Sequence, residues 1–172
     1  EIFNQDELFS LLPPVLEEEL PENQFFQLAI KDVKNKKVLS LRDFFNAFQI
    51  GTPENFLEKL ENDFTLFVYS SKGRNQLGFA AKIKEKEGFS QILNSWEKTM
   101  DEDFSNLSLF LGKKESIKRP IFKNGRYKKQ AFRYLSFPDI PNFGICYGIV
   151  NDYFIFTFSG ESMIKTIDNV LK

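Results

Sequence analysis

The strongest constraint in the sequence is one dipeptide, Asn151-Asp152, set between two apolar runs, FGICYGIV and YFIFTF. Asn and Asp tolerate positive φ, so the pair predicts a two-residue type I′ hairpin. Such a turn sets the register. Val150 falls opposite Tyr153, Ile149 opposite Phe154, Tyr147 opposite Phe156 and Ile145 opposite Phe158. Side chains alternate along a strand. One face then carries Ile145, Tyr147, Ile149, Phe154, Phe156 and Phe158, a core face. The other carries Gly144, Cys146, Gly148, Val150, Tyr153, Ile155 and Thr157, and its glycines leave room for another backbone or for solvent.

A helix should follow. Ser159 is a suitable N-cap and Glu161 suits the first turn. Met163, Ile164, Ile167, Val170 and Leu171 recur at helical spacing. We expect this stripe to cover the aromatic face, so that Tyr147, Ile149, Phe154, Phe156, Ile164, Ile167 and Leu171 form one buried cluster.

Composition narrows the chemistry. The chain has 172 residues, 42% hydrophobic, with a formal charge of −1. That fits one domain over 1–172 and gives no global attraction to polyanions. Histidine is absent, which removes His-based acid–base catalysis, serine triads and most zinc sites. Cys146 is the sole cysteine, so no internal disulfide is possible, and a buried thiol is expected. No signal peptide and no apolar run of about 18 residues is evident, which predicts a chain that is itself soluble.

Further elements can be read in order. Residues 6–20 read as a short helix broken at Pro13-Pro14, with an acidic, solvated face that includes Glu17, Glu18 and Glu19. QFFQLAIK (24–31) reads as a strand, and LRDFFNAF (41–48) as a helix. Thr52 and Pro53 read as the start of another helix. FTLFVYS (64–70) and LGFAAKIK (77–84) form a hairpin across a polar loop, followed by a helix over 87–100 with Phe89, Ile92, Leu93, Trp96 and Met100 on one face. Asn124-Gly125 predicts the turn of a third hairpin. Hairpin then helix thus occurs twice, which suggests two related half-units, 24–111 and 118–172. The fold class expected is α+β: an antiparallel sheet of hairpins with helices packed on one face.

Few residues suggest chemistry. Asp101-Glu102-Asp103 lacks the spaced ligands of a calcium loop. Ser159-Gly160-Glu161-Ser162 is not a nucleophile elbow, and no phosphate-binding glycine loop occurs. No catalytic residue, metal ligand or cofactor is indicated. The basic tract 113–133 stands out, with aromatic residues interleaved. Arg119, Lys123, Arg126, Lys128, Lys129 and Arg133 are the candidate anion-binding residues, able to neutralise phosphates while aromatics stack on bases. The plain structural alternative is a hairpin with its aromatics in the core and its charges in water.

Three segments carry a resemblance: SLRDFFNAFQIGTPENFLEKLENDFTLF (40–67) with GFAAKIK, SWEKTMDEDFSNL (95–107), and FRYLSFPDIPNFGICYGIVNDYFIFTFSGESM (132–163). Together they resemble a group of uncharacterised single-pass membrane proteins from candidate-phyla bacteria of the Patescibacteria or Parcubacteria type. In that group one N-terminal membrane helix precedes an exported domain. The shared patterns are Trp96, Glu97, Met100 and Asp103, then Arg133 to Asp139, then Thr157, Ser159, Glu161, Ser162 and Met163. The resemblance implies a non-enzymatic, extracytoplasmic domain, tethered by a membrane segment outside these 172 residues, that binds a protein or a cell-envelope component. The alternative from the residues alone is a polyanion-binding module, for nucleic acid or anionic lipid, using the hairpin at 113–133.

Overall fold

The computed structural model describes residues 5–32, 36–71, 74–110, 121–137 and 140–172. In chain order the elements are helix α1 (Gln5–Glu17), strands β1 (Gln24–Leu28), β2 (Lys31–Asp32) and β3 (Lys37–Val38), and helix α2 (Leu41–Ala47). Strands β4 (Leu60–Ser71) and β5 (Arg74–Ile83) follow, then helices α3 (Phe89–Trp96), α4 (Met100–Asp103) and α5 (Ser105–Phe110). Strands β6 (Lys123–Tyr127), β7 (Gln130–Ser136), β8 (Gly144–Val150) and β9 (Tyr153–Thr157) lead to helix α6 (Gly160–Val170). Seven strands form one antiparallel sheet in the order β1-β4-β5-β9-β8-β7-β6, and β2 and β3 form a separate ribbon. The fold is α+β.

Local signals account for several boundaries. At α2 the Ser40 hydroxyl accepts from the Asp43 amide at 3.2 Å, while the Asp43 carboxylate accepts from the Ser40 amide at 3.2 Å. This capping box satisfies two donors that a helix start leaves bare. Asp43 also meets Lys37 at 2.9 Å. Burial raises its pKa, but the hydrogen bonds from Ser40 and Lys37 outweigh that and hold the carboxyl below its ordinary value. The helix expected from Thr52 does not form. Asn55 has φ 63, which no continuing α-helix accepts, and one 3-10 turn at Leu57–Lys59 stands there instead. By contrast α1 runs unbroken through Pro13 and Pro14. Its Leu8 and Leu12 are buried and the helix packs on β5, so tertiary contact outweighs the two missing donors.

Hairpin β8–β9 has the predicted register, with Val150 opposite Tyr153 and Tyr147 opposite Phe156. Its turn differs: Asn151 has φ 54 and Asp152 is not in the positive region, the φ pattern of type II′ rather than type I′. Hairpin β4–β5 is longer than expected, pairing as far as Ser71 with Arg74. Asn75 and Gln76, read as loop, are buried strand residues. The larger correction lies in β6–β7. Asn124-Gly125 is inside strand β6, and the turn is Lys128-Lys129, both at positive φ (45 and 67). Gly125 pairs with Phe132, and Phe132 pairs in turn with Gly148. A Cβ on Gly125 would sit 2.4 Å from the Phe132 ring. That glycine serves a ring, not a bend.

The sheet is covered on both faces. On the first, Phe79, Phe154, Phe156 and Phe158 pack with residues of α2, α3, α4 and the residue that follows it, Phe104. On the second, Cys146, Val150 and Ile155 pack with Met163 and Ile167 of α6. The expectation that helices lie on one face, with α6 over the aromatic side, is therefore corrected. Ile167 belongs to the other cluster, Ile164 is only half-buried and Leu171 is exposed. Tyr147, Phe154 and Phe156 do share one cluster, with Ile149 packed against it. Hairpin β4–β5 and its helix α3 match β8–β9 and α6 in order, but the two helices take opposite faces.

Candidate functional site

Of the six basic candidates, Arg119 lies outside the described residues. Lys123 and Arg126 are exposed on β6, at one edge of the sheet. They are three positions apart in a strand, so they face opposite sides. Lys128 and Lys129 form the turn, and Lys128 meets Asp168 of α6 at 2.6 Å. The Tyr127 hydroxyl donates to the other oxygen of that carboxylate at 3.3 Å. The hydrogen bond from Lys128 holds the Asp168 carboxyl below its ordinary value. Arg133 is occupied more fully still. The carboxylates that meet Lys128 and Arg133 are Asp168 and Glu97, not the acidic residues of the N-terminal segment. Among the described residues the fold does not gather these cations into one patch.

Arg133 is the centre of a clamp. Its Nε donates to Glu97 Oε1 at 2.6 Å and its Nη2 to Glu97 Oε2 at 2.7 Å. Nη2 also reaches the Phe122 carbonyl at 3.1 Å, and Nη1 reaches Asn124 Oδ1 at 2.5 Å. The Tyr147 hydroxyl donates to Glu97 Oε1 at 2.7 Å. A bidentate guanidinium–carboxylate pair is strong and geometrically specific. The hydrogen bonds to Glu97 raise the Arg133 pKa against the opposing effect of burial. Burial, then the bond to Glu97, raises the Tyr147 phenol. At pH 7 Arg133 is therefore a cation and Tyr147 a neutral phenol. The clamp ties the end of α3, where Glu97 is the C-cap residue, to β6, β7 and β8.

Beside the clamp lies a cleft of about 270 Å³. Ser90, Leu93 and Asn94 of α3 form one wall. Asn124, Ala131, Arg133, Tyr147 and Ile149 of the sheet form the other. Ser90, Asn94 and Asn124 are exposed, whereas Tyr147 is buried. The accessible polar groups are thus amides and a hydroxyl, able to donate and accept. Sequence reasoning placed Arg133 here as a surface cation and gave Glu97 no role. The two are far apart in the chain, and only the fold brings them together.

The remaining chemistry-bearing residues have structural partners. Asp103 accepts from the Trp96 indole at 2.8 Å and from Thr99 at 2.7 Å. Asp101 beside it is buried and Glu102 exposed. Among the described residues no three acidic or cysteine side chains are grouped to hold a metal ion. Ser159 caps α6, accepting from the Ser162 amide at 3.0 Å. Glu161 accepts from Ser71 at 2.7 Å and from Tyr69 at 3.4 Å, pinning α6 to β4. Cys146 is a buried thiol, as expected, and burial pushes its pKa up to about 12.

No helix among the described residues is long and apolar enough to cross a membrane. Comparison with known proteins returns no match, whether to a family model, a curated protein or a solved structure.

Proposed function

We propose that the chain is a non-catalytic binding domain that works outside the cytoplasm, tethered through a segment beyond these 172 residues, and that it takes a neutral polar group of a protein or envelope component. The observation that carries this reading is the cleft between α3 and the sheet. Its exposed groups are Ser90, Asn94 and Asn124, with Ala131 and Ile149 as apolar neighbours. The charges behind them, Arg133 and Glu97, are committed to each other. A pocket of a few hundred Å³ with a few convergent amides and apolar walls suits recognition of a neutral group rather than proton transfer. The polyanion alternative keeps Lys123, Arg126 and Lys129, exposed cations with no carboxylate partner among the described residues.

Amide chemical shifts of the labelled domain, followed during titration with peptidoglycan fragments and with neutral peptides, test the reading. Expected are shifts at Ser90, Asn94, Asn124 and Ile149 that disappear in Asn94→Leu. Shifts confined to Lys123, Arg126 and Lys129, provoked by oligonucleotide or anionic vesicles and abolished by moderate salt, would instead establish the polyanion module.

A further inference from the structure

The two edges of the sheet differ in one respect that decides what each can meet. An edge strand presents a row of backbone donors and acceptors, and proteins blunt such edges with charge, above all with lysine. Strand β6 reads KNGRY and exposes Lys123 and Arg126. Strand β1 reads QFFQL, with no charge, no proline and no glycine. Among the described residues its one strand neighbour is β4. Phe25 already packs on Phe67 and Tyr69, at ring separations of 5.4 and 4.9 Å. Its backbone is thus ordered before anything docks.

We propose that two copies of the chain join edge to edge through β1, antiparallel about Phe26, giving one sheet continuous across both. A twofold pairing of this kind is isologous and closes on itself. It sets Gln24 opposite Leu28, Phe25 opposite Gln27, and Phe26 opposite its own counterpart, all favourable or neutral cross-strand pairs. The flanks choose the partner and the direction. Glu22 precedes β1 and Lys31 follows it. Antiparallel pairing of two copies brings each Glu22 to the end that carries the other copy's Lys31, whereas parallel pairing would set like charges side by side. The cations on β6 keep the opposite edge from adding further copies, so the assembly stops at two.

Sedimentation equilibrium from micromolar to submillimolar concentration reads the mass directly. Expected is a concentration-dependent dimer. Gln24→Lys with Gln27→Lys changes two exposed side chains and places four cations across the join. It should weaken dimerisation by about tenfold or more, with the circular dichroism and thermal midpoint unchanged. Lys123→Gln with Arg126→Gln, on the other edge, should leave the dimer as it was. A monomer at every concentration, or a dimer indifferent to Gln24→Lys with Gln27→Lys, overturns the proposal.

Discussion

Adjacent residues of β9, Ile155 and Phe156, enter two different interiors. Phe156 stacks on Phe104 at 4.2 Å and on Phe79 at 5.2 Å, within a network of rings that extends to Trp96 and Phe45. Ile155 meets Cys146, Val150, Met163 and Ile167, a small aliphatic cluster under one helix. The first face is filled by large rings from many elements; the second joins a few aliphatic side chains of one helix to β8 and β9, and there β7 closes on the glycines of β8. Ring interiors lose much when one ring is removed, because neighbours cannot collapse into the space. A closely approached surface suffers more from added bulk.

Three measurements break or sharpen this contrast. Phe156→Ala should cost about 3–5 kcal/mol, read from urea unfolding curves. A cost near 1 kcal/mol would show that the ring network relaxes and that the faces do not differ as described. Gly148→Ala adds bulk on the second face, where a methyl would meet Phe132 Cβ at 3.1 Å and the Ala131 carbonyl at 3.3 Å. It should cost about 1–3 kcal/mol, and a stabilising outcome would mean that this surface has slack.

The third is a pH effect. The Cys146 thiol stays protonated in the folded chain up to about pH 12, but ionises near 8.5 when unfolded. Between those values the unfolded state binds fewer protons, so stability falls as pH rises. At pH 9.5 the loss from this group should be about 1.4 kcal/mol. Cys146→Ala should remove that part of the alkaline slope. An unchanged slope would assign it to Tyr69 and Tyr147, whose phenols burial raises in the same sense.

What could be read from sequence follows from the range of the interaction. The register of β8–β9, the cap at Ser159 and the apolar strip of α3 are local patterns, and they stand in the structure, although the helix expected over 87–100 ends at Trp96 and Met100 begins α4. The side taken by α6 is not local. Both faces of the hairpin bear apolar residues, and alternation shows which residues share a face without showing where the helix lands. The glycines on the second face left room for another backbone or for solvent, and it is the neighbouring strand β7 that closes on Gly144 and Gly148. Lys128-Lys129 turns although neither residue favours positive φ, because Asn124-Gly125 is held within β6 by the ring of Phe132. The clamp was legible only as three residues without a relation. Arg133 was noticed for its charge, Glu97 within a pattern beside Trp96, and Tyr147 as core.

Strand β9 follows β8 in the chain yet lies between β5 and β8 in space. During synthesis β4 and β5 are released long before β9. Until β9 emerges, β5 has no neighbour on one side, and Phe79 lacks the ring of Phe156 that stacks on it. The sheet therefore starts as one half-sheet, β1-β4-β5, gains a second, β8-β7-β6, only late in synthesis, and is joined last by its central strand. Contacts of such long sequence separation slow folding, and the open edge of β5 is a hazard for association with other nascent chains. A ribosome stalled before Tyr153 would hold a chain with most of its aromatic residues made and no centre to assemble them on.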